Sequence, residues 1–251
     1  MLLIARREWL TLFSSPFGWC LVATIVAALG GIFFFQLRYF LNPPPESVLL
    51  PELWGVTRVA VMPMFHWGAF LVALAIPLLT MRQLSDEYRL RTLPLLLSSP
   101  LSALGIVLGK VLASAAVTVG AVILALLPIV VLAPSTSLDV GLIASGLIAI
   151  GLLSLSVSAL GVWLSSFTSN AALAGVCTLG FVLVSWLLGA RPPADIPHWL
   201  GLALSYVSWQ HHLESLLRGT LTTPPIVFFA SVFAFSVFFA TRRVKFGRRH
   251  R

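Results

Sequence analysis

Residues 141–164 read GLIASGLIAIGLLSLSVSALGVWL, a run of 24 positions without one charged side chain. As an α-helix rising 1.5 Å per residue it would be about 36 Å long, enough to cross a hydrocarbon layer of about 30 Å. Its only polar side chains are the hydroxyls of Ser145, Ser154, Ser156 and Ser158, which bond back along a helix or across to a neighbour. Apolar/polar alternation of the strand type is absent here and along the rest of the chain, so a β-barrel is excluded and membrane-spanning helices remain.

Five further apolar runs flank this one, at 17–36, 64–81, 104–132, 171–188 and 226–240. The third is long for one span and the last is short. Composition agrees: 59% of the 251 residues are hydrophobic and 10% charged, against about 25% charged in a soluble domain, and the mean hydropathy is +1.00. The length fits six spans with their connectors and leaves no room for a soluble catalytic domain. The net charge of +8 has no polar domain on which to form a nucleic-acid patch, so nucleic acid is not an expected partner. The bilayer is the expected surroundings. Cys20 and Cys177 both fall in apolar runs, and no disulfide is expected.

The basic residues set the topology. With the N-terminus inside, the inner segments hold Arg6, Arg7, Arg82, Arg89, Arg91, Lys110, Arg242, Arg243, Lys245, Arg248, Arg249 and Arg251, which is 12 of the 16. The outer loops hold Arg38, Arg58, Arg191 and Arg218. The inside-positive rule therefore places both termini in the cytoplasm. Arg6 and Arg7 ahead of an apolar run also resemble a twin-arginine or Sec signal peptide, but the run exceeds the usual 7 to 15 residue core of such signals. Residues 1–15 read instead as an amphipathic surface helix, with Leu2, Ala5, Trp9, Leu12 and Phe13 near one face and Arg6, Arg7 and Glu8 beside it, or as a simple charged flank that anchors the first span.

Two outer loops are substantial. That at 37–63 contains Asn42 followed by Pro43, Pro44 and Pro45; that at 189–225 is bounded by Pro192–Pro193 and Pro224–Pro225. Between the latter breaks, 199–217 is apolar enough to re-enter the membrane or lie on it, but too interrupted for a seventh span. His198, His211, His212 and Glu214 there invite a metal site, although interfacial anchoring beside Trp199, Tyr206 and Trp209 explains them more simply.

The membrane interior lacks the ionisable groups that an ion-coupled transporter or intramembrane enzyme requires. Lys110 sits near the inner end of its run, where it is expected to snorkel. Gly105 and Gly109 form a G-x-x-x-G, a common packing motif. Gly105 to Lys110 superficially suggests a phosphate loop, but three residues separate the glycines where four are needed, and Val111 follows the lysine. No nucleotide is bound by that device.

The densest charge in the first 240 residues is Arg82, Asp86, Glu87, Arg89 and Arg91, followed by Thr92, the apolar Leu95, Leu96 and Leu97, Ser98, Ser99 and Pro100. This pattern suggests a short surface helix with a face for a soluble partner, or a solvated loop whose charges form weak surface pairs. Together with Pro77, the Leu108-Gly109-Lys110 run and Ala113, these residues resemble the ABC-2 type permeases of bacterial ABC exporters, most closely the gliding-motility-type branch. The resemblance extends to Ser208, His212, Arg218 and Gly219 before the last span. In place of that family's usual Gly-Thr and acidic residue, this chain has Arg91, Thr92 and Pro94.

The resemblance implies an all-α integral membrane fold of the ABC-2, type V exporter-like kind. It would comprise a connecting helix at 1–15 (Arg6, Arg7, Glu8, Trp9), six transmembrane helices, and a coupling segment at 82–103. A re-entrant or interfacial segment at 199–217 and a basic tail at 242–251 complete it. The connecting helix and a coupling helix over roughly 92–102 would contact a separate ATPase, with Arg82, Asp86, Glu87, Arg89, Arg91, Thr92, Leu95, Leu96 and Pro100 as coupling residues. His212, Arg218 and Gly219 mark the outer segment. ATP and magnesium belong on that partner; this chain binds no cofactor or metal of its own and is not an enzyme. The implied complex has two permeases, identical or different, and two ATPase chains in a bacterial inner membrane, with room at the outer loops for a periplasmic or membrane accessory protein. It would export substrate by alternating access. The alternative is a scaffold or mechanotransmission subunit that couples an ATPase to a periplasmic gliding or surface-assembly machine.

Overall fold

The computed structural model describes residues 2–42, 55–90, 102–134, 136–188 and 198–249. Arg91, Thr92, Leu95, Leu96 and Pro100 of the expected coupling segment lie outside the described residues, as do Pro43 to Pro45 and Arg191 to Pro193. The described residues are helical, and no strand occurs among them.

Helix α1 (Leu2–Ser14) is separated from α2 (Pro16–Leu41) by Ser15, which holds an extended conformation. Pro16 in the first turn of α2 fits because its missing N–H would have had no partner there. A π-helical turn at Thr57–Val61 leads into α3 (Met62–Thr80), and a single turn, α4 (Ser85–Arg89), follows. The run at 104–132 is not one helix. Helix α5 (Ala103–Ala125) ends before α6 (Leu127–Leu132), because Pro128 cannot donate to the carbonyl four residues back and its ring crowds that carbonyl. Helix α7 is Val140–Ser165 and α8 is Ala171–Leu187. The interrupted outer segment is two helices, α9 (His198–Val207) and α10 (Trp209–Leu217), broken at Ser208. The last helix, α11 (Thr223–Arg249), runs well past the apolar stretch, so the residues read as a basic tail are helical as far as Arg249.

Among the described residues, five segments are long and apolar enough to cross a membrane: Pro16–Leu41, Thr57–Arg89, Ala103–Leu132, Val140–Ser165 and Thr223–Phe246; Ala171–Leu187 is apolar but shorter. The chain is a multi-pass membrane protein. Helix α7 is its axis, packing on α3, α5, α8, α10 and α11, with Ala149, Ile150, Leu153 and Val157 fully enclosed. Close approach depends on small residues. A methyl group at Gly161 would fall 2.1 Å from Thr80 Oγ1, so α3 and α7 touch there only because position 161 has no side chain. Several hydroxyls of this interior bond to carbonyls or to one another: Thr118 Oγ1 donates to Ser154 Oγ at 3.2 Å, and Ser156 Oγ to the Phe229 carbonyl at 2.9 Å, whereas the buried Ser158 Oγ has no hydrogen-bond partner among the described residues.

The apolar interior divides in two. The larger part fills the bundle, and a smaller cluster formed by Ile4, Leu84, Ile106, Val107, Val111, Val162, Ala240 and Val244 closes one end. Ile4 and Val244 share that cluster, so the two ends of the chain lie at the same end of the bundle. The helices α9 and α10 cap the opposite end.

Candidate functional site

The smaller cluster encloses an ion triad. Lys110, in the second turn of α5, has its side chain 2% exposed. Its Nζ lies 2.8 Å from Oε1 of Glu8 on α1 and 2.8 Å from Oε1 of Glu87 on α4. The expected snorkelling lysine is therefore corrected: α1 and α4 fold over the ammonium and shut it from the surface. An isolated charge in such surroundings is very costly, and two carboxylates in contact make its burial tolerable. With two glutamates to one lysine the triad carries one net negative charge when all three are ionised.

The local sequence explains the geometry. On α1, Ile4, Glu8 and Leu12 recur every four residues and so share one face. Ile4 is buried, and Leu12 and Phe13 of the expected stripe pack against the core, while Trp9 of that stripe is about half exposed, so the inward side is shifted from the expected face toward Ile4. On α4, neighbouring Asp86 and Glu87 stand about 100° apart and cannot face the same partner. Glu87 reaches Lys110, whereas Asp86 pairs with exposed Arg89 at 3.2 Å. Two hydrogen bonds fix the turn that carries them: Gln83 Nε2 donates to the Lys110 carbonyl at 3.3 Å, and Ser85 Oγ to the Ser165 carbonyl at 3.0 Å. Glu87 Oε2 is buried and has no hydrogen-bond partner among the described residues.

Of the other expected coupling residues, Arg82 is exposed beside this turn, and Arg6 and Arg7 are exposed on α1. Lys110, Gln83 and Ser85 were absent from the sequence-derived set. A lysine one turn inside an apolar helix is itself the signal, since an ionisable residue at membrane depth calls for a named partner.

At the opposite end, the residues singled out before the last span meet as a structural joint. Ser208 caps α10, its Oγ accepting from the His211 N–H at 3.4 Å. His212 is buried, stacks on Phe228 at 4.1 Å, and pairs through Nε2 with the Tyr206 carbonyl at 2.8 Å. Burial lowers the His212 pKa, with His211 adding to the effect and the Tyr206 carbonyl opposing it. Arg218 pairs with Glu214. Gly219 takes φ 86°, and the Gly219 and Thr220 N–H groups return to the Leu216 and Ser215 carbonyls at 3.1 and 3.2 Å. That is a Schellman closure, which requires left-handed backbone where glycine is the unstrained choice. Among the described residues no group of three His, Cys, Asp or Glu side chains converges as a metal site would require.

A bundle of apolar spans, an amphipathic helix ahead of the first, and charges gathered at one end define a multi-pass membrane protein. The family model described as ABC-2 family transporter protein matches residues 2–217, so the chain belongs to that family and is a permease subunit of an ABC transporter. Membership implies pairing with an ABC ATPase subunit. The match takes in the whole triad and, of the joint, Ser208 and His212; it ends at Leu217, the last residue of α10, before Arg218, Gly219 and Phe228. No curated protein matches the sequence.

Proposed function

We propose that this permease exports its substrate by alternating access within a pair of permease chains driven by two ATPase chains, and that the Lys110 triad carries the drive into the membrane. The observation that supports this reading is the joining of three segments by one buried ammonium. Residues 91–101 lie between α4 and α5 in the chain, and each of those helices contributes a charge to the triad. A push on that segment from an ATPase reaches α5 directly and α1 through Glu8. The apolar spans then move as rigid bodies. Arg82, Asp86 and Arg89, exposed or half-exposed on the same end, are available to a soluble partner, with Arg6 and Arg7 on α1 and Arg242, Arg243 and Lys245 on α11.

In this reading the end carrying both chain termini faces the cytoplasm of a bacterial inner membrane, consistent with the 12 basic residues assigned to it. No buried charge lies along the middle of the spans, which favours a hydrophobic, amphipathic or lipid-linked substrate. ATP and magnesium are handled by the partner. The test is reconstitution with the cognate ATPase. The substitutions Glu8→Gln and Glu87→Gln, made singly, should leave the complex assembled but uncouple ATP hydrolysis from substrate movement. Unchanged transport in both variants would remove the triad from the drive path. Labelling of intact cells at cysteines placed at Asn42 and Arg248 tests orientation: only the first should react.

A further inference from the structure

Helix α1 does more than close the triad. Its outward side forms one wall of an apolar groove of about 570 Å³, bounded by Trp9, Leu10 and Phe13 of α1, Trp19 of α2, and Val117 and Gly120 of α5. The aromatic wall is fixed in place: Phe13 and Trp19 meet edge to face at 5.0 Å, and Trp19 Nε1 donates to the Phe13 carbonyl at 3.0 Å. The α5 side extends from Ala116 to Leu124, roughly 12 Å of helix. Beyond Leu10, which borders both, the groove gives way to a second recess of about 440 Å³ edged by Arg6, Arg7, Thr11 and Ser14. Arg6 and Arg7 are exposed, and neither forms a salt bridge among the described residues.

We infer that this paired recess holds one phospholipid with an anionic headgroup from the leaflet at the α1 end, its acyl chain between α1, α2 and α5 and its phosphate at Arg6 and Arg7. The shape and the charge point the same way. An uncharged slot long enough for much of an acyl chain borders, at Leu10, a recess edged by two guanidinium groups that form no salt bridge among the described residues, and such groups recognise phosphate oxygens in forked geometry. Bulk lipid would contact the apolar wall of any span; here the charge at one end selects the headgroup, and the aromatic wall selects the position. The occupant sits against α1, so it also steadies the helix that carries Glu8. This inference rests on reading α1 as an interfacial helix of a membrane permease.

Native mass spectrometry of the isolated permease, titrated with phosphatidylglycerol or phosphatidylcholine of matched chains, tests it. One retained phosphatidylglycerol per chain is expected, favoured over phosphatidylcholine by roughly tenfold, the scale for two arginines at a partly screened phosphate. Arg6→Gln with Arg7→Gln should erase the preference while leaving weak binding of both lipids. Gly120→Phe should abolish retention of both. A Cβ added at Gly120 meets no atom within 4 Å, so a side chain can leave the helix there into the slot, and Gly30→Phe, whose Cβ is equally unobstructed on α2, is the control that should keep the lipid. Equal retention in wild type and the arginine variant overturns the inference. So does loss of a permease dimer in Gly120→Phe with lipid retention unchanged, which would assign the groove to a second copy. A chain that fails to enter bilayers at all would sink both the inference and the permease reading, whereas an inserted chain without headgroup preference sinks the inference alone.

Discussion

The two ends of the bundle are held by different physics. At the end carrying α1, three helices from distant parts of the chain meet through charge: Lys110 between Glu8 and Glu87, sealed by Ile4, Leu84 and Val244. At the end carrying α9 and α10, the helices are stitched by neutral caps and ring packing: Ser208 on its own helix, His212 against Phe228, and the glycine closure at Gly219. Charge pairs are directional and costly to break halfway, so the first end behaves as a latch that holds or releases as a unit. Caps and stacks contribute in small separate amounts, so the second end loosens by degrees.

The largest expected effect is at the latch. Lys110→Met leaves two half-buried carboxylates without their cation, a loss of up to about 3 kcal/mol, the low end for breaking a buried pair, and should lower the thermal unfolding temperature in detergent more than any substitution at the opposite end. Adding Glu8→Gln and Glu87→Gln to Lys110→Met should restore most of that stability, because an uncharged cluster needs no compensation. Failure of the triple variant to recover would show that the helices are held by something other than the triad's charge balance.

A smaller effect is expected at Gly219, where alanine must adopt a left-handed backbone at a cost of about 1 to 2 kcal/mol. Ser208→Ala should cost about 1 kcal/mol through loss of the cap. If these two changes combine far beyond their sum, the neutral end is also a single cooperative latch and the contrast fails.

The pH dependence sharpens the same contrast. Because the folded pKa of His212 lies below its unfolded value of about 6.5, the unfolded chain binds the proton more readily. The stability that His212 contributes is therefore fully present above that value and declines as pH falls through it toward the lower folded pKa. Hydrogen exchange in α10 should rise over that window, and His212→Gln should flatten the profile. The smallest effect belongs to the Asp86–Arg89 pair at the surface: Arg89→Gln should change stability by well under about 1 kcal/mol, although it is the last residue of α4. A large loss there would mean that α4 is held to the bundle through its outer face and not through Glu87.

Much of this was legible in the sequence, and the boundary of legibility has a physical basis. Transmembrane helices follow from local composition, because in lipid a helix satisfies its own backbone and needs only enough apolar length. Residues 141–164 therefore announce α7 without reference to any neighbour, and Pro128 and Ser208 carry their breaks in their own chemistry. The amphipathic character of residues 1–15 was equally plain, but which face turned inward was not. Ile4, outside the expected stripe, is buried while Trp9 within it is about half exposed, and the pairing of Glu8 with Lys110 accounts for that rotation. That pairing joins residues 102 positions apart, a separation over which no periodicity or spacing rule operates. The sequence alone determined that the chain is a helical membrane protein with its charges gathered toward one end, because hydropathy and charge are properties of single residues. Which charges meet, and that a lysine expected at the surface is the buried centre of a three-helix junction, only the tertiary structure decided, because burial is a property of what packs over a side chain.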